Sequence, residues 1–242
     1  MNQSRKLLRQ LRYADTWILL FAALFLILFG IAEIQKNFSH LTWHSSVGYR
    51  TLLLLTICLL FYMGGIVRVH RLHNSPILKY LMVLFFVLYV YLLLSFTLMD
   101  EALGRGGNSI YDTAKNMREV YLSLFVNFRP FRSICGVYLR GFVSGSVSAR
   151  YVLLNLLGNF CAFMPFALFL PLFFPITRRW YVFLPIMLLT VSCIEALQFW
   201  FMVGSCDIDD LILNVSGATL SYALLRIPRI KRVTQRLTSI AV

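Results

Sequence analysis

The chain has 242 residues, of which 59% are hydrophobic and only 14% are charged, and its formal net charge is +13. Because a soluble domain usually has about a quarter of its residues charged, this composition excludes a water-soluble globular protein. The positive charge does not indicate nucleic acid as a partner, since the basic residues flank apolar runs and form no basic domain of their own. Membrane lipids with anionic headgroups are the expected counter-charge.

Six apolar runs are long enough to cross about 30 Å of hydrocarbon as helices. The predicted spans are residues 17–32, 51–67, 80–99, 151–174, 180–203 and 209–225, of which the last is the least hydrophobic. The predicted fold class is therefore all-α, a polytopic helical membrane protein with about six transmembrane helices.

The distribution of lysine and arginine predicts the orientation, because short cytoplasmic loops carry the excess of these residues. With the N-terminus inside, the inner segments contain fourteen of them and the short outer loops contain two, Lys36 and Arg50. Both termini are therefore expected in the cytoplasm, and the protein is expected in the cell membrane.

The segment between the third and fourth predicted spans is too charged to be a span itself. Residues 121–142 combine many aromatic side chains with Arg129, Arg132 and Arg140, and they include Pro130. Aromatic rings together with arginines are typical of the headgroup boundary. An amphipathic or re-entrant segment is therefore expected here.

Polar side chains in the last three spans are expected at one depth, in the half nearest the outer side, from a helical rise of about 1.5 Å per residue. Asn155 and Asn159 share one helix face, and so do Glu195 and Gln198. The residues predicted to form an outward-facing polar site are Asn127, Arg129, Asn155, Asn159, Glu195, Gln198, Asp207, Asp209, Asp210 and Asn214.

Carboxylates at one depth in the membrane repel each other unless a partner or a cation neutralises them. Calcium or magnesium suits such oxygen ligands, and no other cofactor is indicated. The candidate metal ligands are Glu195, Asp207, Asp209 and Asp210. Arg129 or Arg132 is an alternative partner for Glu195. For the amide side chains alone, hydrogen bonding between helices is an equally good explanation.

Two features concern helix packing. Pro165 and Pro171 are expected to kink the fourth span. The small residues Gly158, Ala162, Gly217 and Ser221 are expected to let neighbouring helices approach closely.

Four blocks of sequence that contain these residues resemble the VanZ-like family. They read NFRPF at 127–131, NLLGNFCAFMPF at 155–166, EALQ at 195–198 and DIDDLILNVSG at 207–217. The resemblance implies a bacterial membrane protein linked to resistance against glycopeptide and lipoglycopeptide antibiotics such as teicoplanin. It also implies a two-helix N-terminal extension in 1–75, a VanZ-like membrane domain in 76–226 and a basic cytoplasmic tail in 227–242.

Two functions of different classes remain open. The first is an outward-facing site that binds an envelope ligand, either the lipoglycopeptide or a lipid-linked wall precursor, with arginines contacting its phosphate or carboxylate groups.

The alternative is an intramembrane metal-assisted enzyme acting on a lipid or envelope precursor. Glu195 or Asp209 would then be the general base, and Asp207 and Asp210 would hold the metal. No histidine lies in the four blocks, which favours binding over catalysis. A transporter is third, because no internal repeat is visible.

Overall fold

The computed structural model describes residues 14–38, 47–72, 77–99 and 117–238. This part is almost entirely helical, as it must be where no water is available to backbone N–H and C=O groups. The predicted all-α class is confirmed. In chain order the α-helices are α1 (Ala14–Phe38), α2 (Val47–Leu72), α3 (Ile77–Leu94), α4 (Met117–Leu124), α5 (Arg140–Val143), α6 (Ala149–Ala162), α7 (Phe166–Phe173), α8 (Trp180–Phe201), α9 (Ile208–Leu224) and α10 (Pro228–Thr238).

The remaining elements are short. Two segments, Ser95–Met99 and Arg132–Leu139, are π-helical, and Pro175–Arg178 is a 3₁₀ turn. Strand β1 (Val126–Asn127) pairs with strand β2 (Cys206–Asp207). The segment 121–142, predicted to be amphipathic or re-entrant, thus forms a series of short elements and no spanning helix.

Five stretches of the described chain are long and apolar enough to cross a membrane. They are Ala14–Glu33, Thr51–Val69, Ile77–Leu98, Ala149–Phe173 and Trp180–Phe201. A sixth is obtained when α9 is taken together with α10, and these two helices are bent by 87°. By helix length and composition, the prediction of about six spans is confirmed. The chain is a multi-pass membrane protein.

The fourth predicted span is broken near its first proline. Helix α6 ends at Ala162, and α7 begins at Phe166. Pro165 occupies the N-cap position of α7, where its missing N–H interrupts no helical hydrogen bond. The span is therefore interrupted at Pro165, and α6 ends one turn after Asn159. Pro171 lies inside α7, and a kink at either proline stays a prediction.

Contacts between residues divide the chain into two units, Met1–Leu92 and Leu93–Val242. In the first unit, apolar side chains of α1, α2 and α3 pack around a core that includes Ala22, Leu54 and Ile57. The division falls inside α3. The family-based boundary after residue 75 stays a prediction.

In the second unit α9 packs against α6, α7 and α8. Its contact with α6 is closest at Gly217, where an added Cβ would lie 1.7 Å from the carbonyl oxygen of Phe160. The predicted close approach is confirmed at this glycine. It is wrong for Gly158, where an added Cβ would meet nothing within 4 Å.

The C-terminal half of α9 is fixed through one aromatic residue, Tyr222. Its ring stacks on Phe183 of α8 with a centroid separation of 4.1 Å. Its hydroxyl donates to the Thr177 carbonyl at 3.2 Å, and the guanidinium of Arg226 lies 3.6 Å above the ring. The N-terminal half of α9 contains the predicted polar residues Asp209, Asp210 and Asn214.

Candidate functional site

A short parallel strand pair connects the segment after α4 with the start of α9. Val126 pairs with Cys206, and Asn127 pairs with Asp207. The Cys206 N–H donates to the Phe125 carbonyl at 2.9 Å. So small a pair is not stable by itself, which means that side chains must hold the two segments together.

Asp209 is the main connection between these segments. Its carboxylate is fully buried and accepts backbone N–H donors from Phe131 at 2.5 Å, Ser133 at 2.8 Å and Ile134 at 3.0 Å. These donors lie at the start of the π-helix Arg132–Leu139, where N–H groups have no partner within the helix. A carboxylate also suits the positive end of a helix dipole. Asp209 therefore caps a helix that lies more than seventy residues earlier in the chain.

The residue before this π-helix has an unusual backbone conformation. Phe131 is left-handed, with φ of 61°, which costs of order 1–3 kcal/mol for a residue with a bulky side chain. Such a conformation persists only where its surroundings enforce it. The hydrogen bond from the Phe131 N–H to Asp209 stabilises this left-handed conformation.

Asp207 forms a second connection from the N-cap position of α9. Its Oδ1 accepts from Asn127 Nδ2 at 2.8 Å and from the Asp209 N–H at 2.9 Å. Its Oδ2 accepts from the Ser133 hydroxyl. Asn127 in turn accepts from the Arg129 N–H at 3.1 Å. Both carboxylate oxygens of Asp207 are thus engaged in joining the segment 127–133 to α9.

Glu195 and Cys206 lie beside Asp207. Glu195 Oε2 accepts from the Asp207 N–H at 3.1 Å. The Cys206 thiol is buried, and its burial, followed by the nearby carboxylate of Glu195, raises its pKa to about 11. This thiol is therefore protonated at neutral pH and unreactive.

Tyr138 of the π-helix is a further buried group near the carboxylates. Its ring lies 6.1 Å from that of Tyr151 on α6. Burial, followed by the negative charge of Asp210, raises the pKa of Tyr138 above its ordinary value. The phenol therefore stays protonated and neutral next to the acidic residues.

Two cavities adjoin Glu195. The larger, named the groove here, has a volume of about 320 Å³. Its walls are mainly apolar, and Asp207 and Glu195 supply its carboxylates. The apolar wall is formed by Phe128, Ala196, Phe199, Cys206, Ile208 and Leu211.

The smaller cavity, named the inner cavity, has a volume of about 20 Å³. Its polar lining is formed by Thr97, Asn159, Glu195, Gln198, Asp210 and Asn214. The side chain of Glu195 is therefore shared between an apolar space and a polar one.

Most of the predicted site residues are thus assembled, in two adjoining groups. Asn127, Asp207 and Asp209 join the segment 127–134 to α9. The predicted residues Asn159, Glu195, Gln198, Asp210 and Asn214 line the inner cavity, and the Asn159 amide donates to Asp210.

Two predicted residues are placed differently. The amide of Asn155 donates to the Tyr151 carbonyl of its own helix at 2.8 Å, and Asn155 lines neither cavity. Arg129 contributes its backbone to the site, and its side chain is exposed. The suggested pairing of Arg129 or Arg132 with Glu195 stays a prediction.

Sequence reasoning overlooked Ser133 and Tyr121. Ser133 contacts both Asp207 and Asp209, and a serine at the start of a helical segment is a capping residue type that could have indicated it. Tyr121 is buried, and its hydroxyl donates to the Gln198 carbonyl at 3.3 Å. No local signal in the sequence marks that contact.

The predicted carboxylate ligands divide between the two groups. Asp207 and Asp209 are engaged by N–H and O–H donors, whereas Glu195 and Asp210 line the inner cavity. Within the described part of the chain, no group of three or more His, Cys, Asp or Glu side chains is arranged to hold a metal. Any cation would therefore need amide oxygens as additional ligands.

A family model described as VanZ/LLP1 matches residues 85–229, which is more than half of the chain. The matched region contains the groove, the inner cavity and the strand pair. No curated protein and no solved structure matches the chain.

Proposed function

The chain belongs to the VanZ/LLP1 family, and we propose that it binds an envelope ligand with an apolar chain in the groove beside Glu195. The ligand is a lipoglycopeptide antibiotic or a lipid-linked wall precursor. Through this binding the protein contributes to bacterial resistance against glycopeptide and lipoglycopeptide antibiotics such as teicoplanin.

The observation that carries this proposal is the groove itself. Its volume of about 320 Å³ lies within the range of small-molecule sites, which are mostly apolar with a few polar groups. Phe128, Phe199 and Leu211 offer apolar contact, and burial of an alkyl chain is worth about 0.8 kcal/mol per methylene group. Glu195 would orient the polar end of the ligand.

The segment beside the groove suits contact with a polar headgroup. Arg129, Arg132 and Arg140 have exposed side chains, and Phe128 and Phe131 are 70% and 57% exposed. Guanidinium groups bind phosphates and carboxylates through bidentate hydrogen bonds. Exposed aromatic rings and arginines together favour the membrane interface. We place this interface on the outer side of the cell membrane, with both termini in the cytoplasm.

The enzymatic alternative has less support. Asp209, one of the two candidate general bases, accepts three backbone hydrogen bonds that a protonated carboxyl would weaken. Asp207, a candidate metal ligand, is engaged at both oxygens. These two residues therefore suit a structural role better than proton transfer or metal binding.

The groove is tested by filling it. Ala196→Trp places an indole in the groove, and we expect cells producing this variant to be as susceptible to teicoplanin as cells without the chain. Leu197→Trp is the matched control, because Leu197 is 39% exposed and does not line the groove. Minimal inhibitory concentrations and binding of teicoplanin or lipid-linked precursor to the purified protein are the measurements. Full protection by Ala196→Trp would contradict the proposal.

The outward orientation is tested with single-cysteine variants labelled in intact cells by a membrane-impermeant maleimide. Cys135 is exposed and should be labelled from outside. Cys206 should stay unlabelled, because it is buried and a thiol with a pKa of about 11 is ionised only to about one part in a thousand at pH 8. Labelling of Cys135 only after permeabilisation would place this segment on the cytoplasmic side.

A further inference from the structure

The inner cavity contains a polar atom without a protein partner. Asn214 is 5% exposed, and its Oδ1 has no hydrogen-bond donor among the described residues. A buried acceptor left unpaired costs about 1–3 kcal/mol. Because Asn214 lines the inner cavity, its oxygen is placed to receive whatever occupies that space.

The neighbouring side chains add further acceptors. The Asn159 amide uses Nδ2 to donate to Asp210, and the Gln198 amide uses Nε2 to donate to the Thr97 carbonyl at 2.9 Å. Each of these amides therefore retains a side-chain oxygen as an acceptor. Glu195 and Asp210 contribute carboxylates, which accept and do not donate when ionised. The lining thus has many oxygen acceptors around a very small space.

We propose that the inner cavity is a calcium site, with Glu195, Asp210 and the Asn214 amide oxygen as its main ligands. Carboxylate and amide oxygens are the ligands that calcium prefers. The two carboxylates balance the charge of one divalent ion, which matters because uncompensated charge is costly among membrane helices. The proposal is independent of the proposed function, since calcium binding needs no envelope ligand.

The size and chemistry of the cavity favour calcium over other occupants. A volume of about 20 Å³ holds one water-sized particle. A single water donates only two hydrogen bonds and brings no charge to balance the carboxylates of Glu195 and Asp210. Magnesium usually keeps several of its waters, and they would not fit. Sodium would leave one negative charge uncompensated.

The test uses the purified full-length protein in nanodiscs after treatment with EDTA. Equilibrium dialysis with radioactive calcium should show one saturable ion per chain, and calcium should raise the thermal stability. An equal concentration of magnesium should not displace it. Absence of saturable binding, or displacement by an equal concentration of magnesium, would overturn the proposal.

Variants distinguish ligation from packing. Asn214→Leu removes the acceptor at similar volume, and Glu195→Gln removes a charge. Each should weaken calcium binding by at least about tenfold, since loss of even an outer-shell partner has that effect. Asn214→Asp keeps an oxygen and should bind at least as tightly as the natural protein. Asn155→Leu is the matched control on α6 and should bind normally. Equal affinity of Asn155→Leu and Glu195→Gln would overturn the assignment even if Asn214→Leu failed to fold.

Discussion

Replacement of Asp209 by asparagine is expected to reduce the free energy of unfolding by roughly 3 kcal/mol or more, because it disrupts charge-assisted hydrogen bonds and leaves buried donors unpaired. The carboxylate accepts N–H groups from Phe131, Ser133 and Ile134. Asparagine keeps one oxygen but turns an NH₂ group toward the remaining donors. Phe131 would also lose the contact that enforces its left-handed backbone.

The matched control is Glu119→Gln, the same carboxylate-to-amide change at an exposed position in the first turn of α4. Its expected cost is no more than about 1 kcal/mol, the usual contribution of an exposed charge to a helix dipole. The difference in stability between the two purified variants is measured by thermal unfolding, which is monitored by size-exclusion chromatography. Equal stability of the two variants would show that the capping of the π-helix by Asp209 contributes little.

This experiment also clarifies how Asp209 affects resistance. Asp209→Asn should abolish protection against teicoplanin, because the segment 127–134 would no longer be held against α9. If Asp209 has a structural role, the loss of protection should follow the loss of stability. If Asp209 contacts the ligand directly, protection should be lost in protein that is still stably folded. Asp209 lines neither the groove nor the inner cavity, which is consistent with an indirect role.

The helical fold was predictable because it follows from hydropathy. Runs of about twenty apolar residues can form all of their backbone hydrogen bonds in a membrane only as helices. The number of spans and the break at Pro165 could therefore be predicted from the sequence. The polar spacing of the last three spans likewise indicated that Asn159, Glu195 and Asp210 lie together, as the inner cavity shows.

Other parts of the site depend on contacts between distant segments, which periodicity does not contain. The pairing of Asn127 with Asp207 joins residues eighty positions apart. Helix spacing alone grouped Asn155 with Asn159, although Asn155 turns to its own backbone. Likewise, depth arguments treated four carboxylates as one set. The geometry shows two sets, because backbone N–H groups of the segment 131–134 engage Asp209.

The second large effect is expected at Gly217, where helix α9 touches α6. A Cβ there would lie 1.7 Å from the Phe160 carbonyl oxygen and 2.7 Å from its carbon. Both atoms are backbone and cannot rotate away as a side chain could. Gly217→Ala must therefore separate the two helices, and we expect a loss of about 3 kcal/mol or more, the upper end of the cost of overpacking.

Gly158→Ala on α6 is the matched control, because its added Cβ meets nothing within 4 Å. This variant should be at least as stable as the natural protein, since alanine is a better helix former than glycine by about 1 kcal/mol. Separation of the helices would also move Asp210 and Asn214 away from Asn159. Gly217→Ala should therefore lose calcium binding, whereas Gly158→Ala should retain it. Normal stability and calcium affinity of Gly217→Ala would show that the close approach of α6 and α9 is not required for the inner cavity.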